Sequence, residues 1–187
     1  MLETKFRRFE AAALADPERR ARLVEEGRFD GYAALFDAPD ADGDVIAPGA
    51  FAAGFAGGTA ALPKLLWQHD PAQPIGVWEH VQEDARGLYV SGRLLLDLPT
   101  ARDAALLIAA GALDGLSIGY RTIAAERQSG PAGPTRRLTE IALWEISVVT
   151  FPMQPDARVR GAHPPATQAR RALSEIAAAR QALTRTP

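Results

Sequence analysis

Gly115-Leu116-Ser117-Ile118-Gly119 sets a serine between two glycines, and the residues that follow, Tyr120-Arg121-Thr122-Ile123, are β-formers rather than helix-formers. The serine is therefore expected in mid-strand. Side chains alternate along a strand, so Gly115, Ser117 and Gly119 share one face while Leu116, Ile118 and Tyr120 point to a core. The glycines leave Ser117 without a side-chain neighbour along its own face, which predicts a hydroxyl open to an approaching backbone. A serine that only packs does not need such a clearing. One that attacks a carbonyl does.

The rest of the chain supplies a mainly β frame. Strands are predicted over 29–36, 62–69, 76–80, 87–96, 116–124 and 137–151, with a Ser/Gly/Pro-rich loop over 128–134. Helices are predicted over 16–27, where Asp16 caps and Pro17 opens, over 48–55, and over 99–110 with Pro99 at the start and Gly111 at the end. Many strands are apolar on both faces. The fold class expected is thus mainly β with flanking helices (α+β), a small closed barrel of six to seven strands.

Three regions are expected: an N-terminal extension with a short helix (1–27), the barrel (28–157), and a Pro-rich linker with an amphipathic tail helix at 167–184 (158–187). Leu173, Ile176 and Leu183 make a sparse apolar stripe on that tail, too thin for a core of its own. Helix 99–110 carries Leu106, Leu107 and Ile108, more apolar surface than one face needs, and suggests a homodimer.

Composition removes whole classes of chemistry. The 187 residues include no cysteine, which excludes thiol catalysis, thiolate metal sites and disulfides. A net charge of -2 gives no reason to expect nucleic acid or an anionic membrane as partner. No apolar run approaches the roughly 18 residues of a membrane span, and the N-terminus has no signal-peptide core, so a soluble intracellular protein is expected.

A serine needs a base within about 3 Å to attack at neutral pH, and three histidines are available. His163 sits among prolines in the tail and His80 ends a strand. His69 stands at the mouth of an Asp70-Pro71 turn, on the face of Leu65 and Trp67, and is the favoured base. The strand 141–151 holds one ionisable residue, Glu145, which shares a face with Ile141, Leu143, Val149 and Phe151. A lone carboxylate there is costly, and an imidazole would serve as its partner. Taken alone, Glu145 would read as a rim carboxylate paired with an arginine. Asp40-Ala41-Asp42-Gly43-Asp44 fails as a calcium loop, since the positions that need Gly and Glu hold Val45 and Phe51; a capping turn is expected instead. Trp67, Trp78 and Trp144 are expected in the core.

Gly-x-Ser-x-Gly also spells the nucleophile elbow of α/β-hydrolases, but that elbow enters a helix at once and its histidine follows the serine. Ser117 instead leads into β-formers, and the only histidine after it is His163 in the tail. Five motifs in order point elsewhere: Gly31-Tyr32-Ala33-Ala34-Leu35-Phe36, Asp42-Gly43-Asp44-Val45-Ile46-Ala47-Pro48-Gly49-Ala50-Phe51, Leu66-Trp67-Gln68-His69-Asp70, Gly115 to Tyr120, and Leu143 to Pro152. Across residues 28–157 they resemble the prohead maturation proteases of tailed bacteriophages, a family distantly similar to the herpesvirus assemblin serine proteases.

The resemblance implies a barrel of the herpesvirus-protease type with His69 as base, Ser117 as nucleophile and Glu145 as third member. It implies a serine endopeptidase inside an immature procapsid in the host cytoplasm, which cleaves scaffold and the N-terminal extension of the major capsid protein, and often itself. No metal or organic cofactor is implied. Arg121, on the Ser117 face, is a candidate for assisting the oxyanion. Two alternatives stay open: a small-ester serine hydrolase, and a non-catalytic barrel serving as a capsid-assembly scaffold or chaperone.

Overall fold

A computed structural model describes residues 16–55, 62–130 and 133–160. The expected tail helix and His163 lie outside the described residues.

Helix α1 (Pro17–Glu26) begins where Asp16 accepts hydrogen bonds from the backbone N–H of Glu18 and Arg19, at 3.0 and 3.3 Å, and ends at Gly27 in the left-handed region. It buries Leu23 completely in the core. Then follow β1 (Arg28–Leu35), β2 (Val45–Ile46), α2 (Ala52–Phe55), β3 (Lys64–Trp67), β4 (Asp70–Glu83), β5 (Gly87–Leu94), α3 (Pro99–Ala109), β6 (Gly115–Gly130) and β7 (Gly133–Val149). The strands form one sheet in the order β1-β5-β4-β3-β7-β2, with β6 antiparallel to β7.

Strand β7 organises the sheet because it is long enough to pair along both of its edges. One edge carries β6 along its whole length. The other carries β2 in parallel at Arg137 and Leu138, then β3 in parallel from Glu145 to Val148. The sheet curls around Phe51, Leu65, Ile75, Leu88, Leu116, Ile141 and Ile146, each 1% exposed or less. It is a curled half-barrel rather than the closed barrel expected. Closure needs continuous ladders all round, and here isolated bridges join the open parts: Phe36 to Ile46, Gly31 to Val159 and Gly115 to Arg158.

Several boundaries differ from expectation for local reasons. The strand expected over 62–69 stops at Trp67, and the one expected over 76–80 is part of the longer β4. The helix expected over 48–55 keeps only Ala52–Phe55, its first half being turns. The expected loop over 128–134 narrows, since β6 and β7 pair out to Gly130 and Gly133. Trp78 is buried and donates its indole N–H to the Ile146 carbonyl at 3.3 Å, whereas Trp144 is 62% exposed, contrary to the core placement expected. The register shifts there: Gly119 faces Glu145 but Tyr120 faces Leu143, so Trp144 is the extra residue of a bulge. On α3, Ile108 is buried while Leu106 and Leu107 are exposed.

Candidate active site

The parallel β3–β7 ladder places Trp67 opposite Val148, and the chain then reverses through Gln68 and His69 into β4. Both turn residues have left-handed backbones, φ 52° and 62°, a conformation unfavourable for residues with a side chain. Neighbouring groups hold it. The Gln68 N–H donates to the Val148 carbonyl at 3.0 Å. The Gln68 amide donates to Thr150 Oγ1 at 2.9 Å and accepts from the Thr150 N–H at 3.2 Å. The His69 N–H donates to Ser147 Oγ at 3.2 Å. His69 is thus a turn residue rather than the last residue of a strand. Two-residue turns favour Gly and Asn, so Gln-His gives no such signal in the sequence.

The antiparallel β6–β7 register pairs Ser117 with Ser147 and Gly119 with Glu145, which puts all four positions on one face of the ladder. His69 swings over that face. Its Nδ1 lies 2.6 Å from Glu145 Oε1, and the other carboxylate oxygen accepts a hydrogen bond from Ser147 Oγ. Hydrogen bonding to the Glu145 carboxylate raises the His69 pKa above its ordinary value; partial burial opposes this and the carboxylate's charge adds to it. With Nδ1 occupied, Nε2 is the ring nitrogen left for chemistry. Ser117 is buried, 3% exposed, and among the described residues its hydroxyl has no hydrogen-bond partner. It borders a cavity of about 130 Å³ together with Asp40, Asp44, Tyr120 and Met153.

The flanking glycines serve a purpose other than the one expected. A Cβ on Gly119 would lie 2.2 Å from Glu145 Oε1, so this glycine makes room for the carboxylate that holds His69. A Cβ on Gly115 would lie 2.5 Å from the Val149 carbonyl oxygen and 2.8 Å from the Pro152 ring. Both glycines admit groups of the protein itself and do not open Ser117 to solvent. Sequence alternation could not reveal this, because it says nothing of what lies across the ladder.

Other candidates fall away from the site. Asp70 is half-buried and its carboxylate accepts from Ala72 N–H and Gln73. His80 packs edge-on to Tyr89, ring centroids 6.5 Å apart, and Arg121 is exposed. Asp40 accepts from the N–H of Asp42 and Asp44 in a tight turn, and Asp44 pairs with Arg136, so this segment is a braced turn that leads into β2. Ser147 is the residue missed by sequence reasoning. The signal was its position two residues beyond Glu145 on a strand, which fixes it on the same face.

A profile of the caudovirus prohead serine protease family matches residues 16–171, most of the chain and all of the site. The chain belongs to this family. It is 34% identical over 135 residues to the prohead protease of Enterobacteria phage HK97, an alignment that takes in 72% of this chain and 60% of that relative's length. The capsid assembly protease of bacteriophage T4 superposes with a TM-score of 0.50 at 16% identity, covering 67% of this chain and 82% of that one. The two chains share a fold. The KSHV protease is also similar, with a TM-score of 0.49 at 12% identity over 71% of this chain and 63% of that one.

Proposed function

We propose that this chain is the serine endopeptidase of a phage or phage-like procapsid, cleaving scaffold, the N-terminal extension of the major capsid protein, or both, and then itself. Family membership supports the reaction class. The observation that carries the assignment of roles is the His69–Glu145 contact at 2.6 Å on the same ladder face as the unengaged hydroxyl of Ser117. In this reading His69 Nε2 takes the Ser117 proton as Oγ bonds to the scissile carbonyl carbon. The protonated ring then gives that proton to the leaving amine, and water hydrolyses the acyl-enzyme by the same route. Glu145 keeps Nδ1–H in place and stabilises the charged imidazole. The place of action is the inside of the immature particle, in the host cytoplasm. The exposed Leu106 and Leu107 of α3 favour a weak homodimer, which light scattering at high micromolar concentration tests.

The deciding experiment is co-expression with a candidate major capsid protein, followed by mass measurement of that protein and labelling with a fluorophosphonate. We expect a shortened capsid protein and a label on Ser117. Ser117→Ala should end both while leaving the melting temperature nearly unchanged, because no hydrogen bond is lost, and His69→Ala should lower the rate on the order of 10⁶-fold with no recovery at higher pH. An intact capsid protein together with an unlabelled serine would favour a scaffolding role. Labelling with no cleavage of the capsid protein would favour a small-ester hydrolase.

A further inference from the structure

Ser147 has the most committed hydroxyl in the site. It is fully buried, 0% exposed, and lies directly across the ladder from Ser117. A serine hydroxyl has one proton to give and lone pairs to accept with. The proton goes to Glu145 Oε2, and a lone pair takes the His69 N–H at 3.2 Å. We infer that Ser147 is a positioning residue that ties the acid and the base of this site into one unit, an inference that rests on the Ser117–His69–Glu145 reading above.

The physical case has two parts. The Glu145 carboxylate reaches His69 from the end of a side chain whose last torsion is broad. A partner on Oε1 alone leaves the carboxylate free to roll about that bond. Bonds at both oxygens, His69 on one and Ser147 on the other, fix its plane. In the second part, His69 occupies a left-handed turn whose backbone N–H has no strand neighbour to satisfy it, and Ser147 Oγ supplies the acceptor. One hydroxyl therefore sets the carboxylate's plane and anchors the backbone of the base. The same commitment argues against Ser147 as nucleophile, because its proton already points at Glu145 and away from the imidazole nitrogen that remains free.

The test measures fluorophosphonate acylation, which separates the maximal labelling rate from the half-saturating probe concentration and needs no knowledge of the cleavage sequence. It is paired with the downfield proton resonance expected for a His69 Nδ1–H donating to a carboxylate. Ser147→Ala should slow maximal labelling of Ser117 by about 10- to 100-fold, leave the half-saturating concentration within about 2-fold, and broaden or lose the resonance. Ser147→Thr, which keeps the hydroxyl, should restore both to within a few-fold. If Ser147→Ala does not fold, Ser147→Cys, nearly the same size and a weak donor, carries the same expectation. Ser147→Ala or Ser147→Cys with wild-type labelling and an unchanged resonance overturns the inference. So does a label found on Ser147 itself. If Ser117→Ala or His69→Ala still labels at the wild-type rate, the triad reading fails instead.

Discussion

Ser117 and Glu145 occupy an antiparallel ladder, Glu145 beside its bulge, whereas His69 occupies a left-handed turn held by side chains of β7 and the residue after it. Backbone pairing alone sets the serine and the acid on one face, at a spacing that every antiparallel sheet shares. His69 has no such guarantee. Its place depends on Gln68 gripping Thr150 and on Ser147 accepting its N–H. Exposure follows the same division: the Glu145 side chain is 13% exposed and that of His69 41%. The contrast teaches that a stiff sheet can carry two members of a site cheaply, while the third must be brought in by specific polar contacts.

The largest effect that bears on this comparison comes from the one bond joining the two parts. Glu145→Gln keeps the shape and removes the charge, and should slow cleavage by as much as ~10⁴-fold, with partial recovery at higher pH. The wild-type acid limb should lie above the ordinary imidazole range because Glu145 raises the His69 pKa, and in Glu145→Gln it should move to lower pH. Stability follows the same linkage. The raised pKa of His69 gives a contribution that is full below its unfolded value and is lost as pH rises through the folded one. The melting-temperature gap between wild type and Glu145→Gln should therefore shrink from acidic to alkaline pH. Rate profiles and melting curves that do not move would separate Glu145 from His69.

A methyl group added on the ladder side should have the next largest effect. Gly119→Ala drives a Cβ into the carboxylate and should cost about 10²-fold in rate with a small loss of stability, since the atom displaced is the end of a side chain. Thermal melts alongside labelling rates distinguish this from global damage. A fully active Gly119→Ala would mean that the carboxylate has room to spare. The smallest effect should come from the turn side: Gln68→Ala removes both bonds to Thr150 and should lower the rate by about 10-fold, consistent with the modest net worth of part-exposed hydrogen bonds. An unchanged rate would show that the Val148 and Ser147 bonds hold His69 unaided.

Much of the candidate site was legible before any coordinates. Ser117 stands out between its two glycines, His69 at the mouth of the Asp70-Pro71 turn and Glu145 as the one ionisable residue of its strand, and the motif order separated this chain from the α/β-hydrolases. The even-numbered face of β6 also packs inward as alternation requires, with Leu116 wholly buried. The role of the glycines was not legible. Alternation along one strand assigns a face, but the group that fills the space beside Gly119 belongs to another strand, brought there by a register set 26 residues away along the chain, from Gly119 to Glu145.

The sequence by itself determined the strand-rich character, the helix starts at Asp16-Pro17 and Pro99, and the chemical identity of the three candidate residues, because propensity, capping and composition act over a few neighbouring residues. Only the tertiary structure decided that the barrel stays open, that Trp144 turns outward at a bulge, that His69 rides on a left-handed turn, and that Ser147 bonds to both His69 and Glu145. Those outcomes depend on which strand edges meet and in what register. Such pairings are fixed by the burial of the whole core, not by the preference of any one segment.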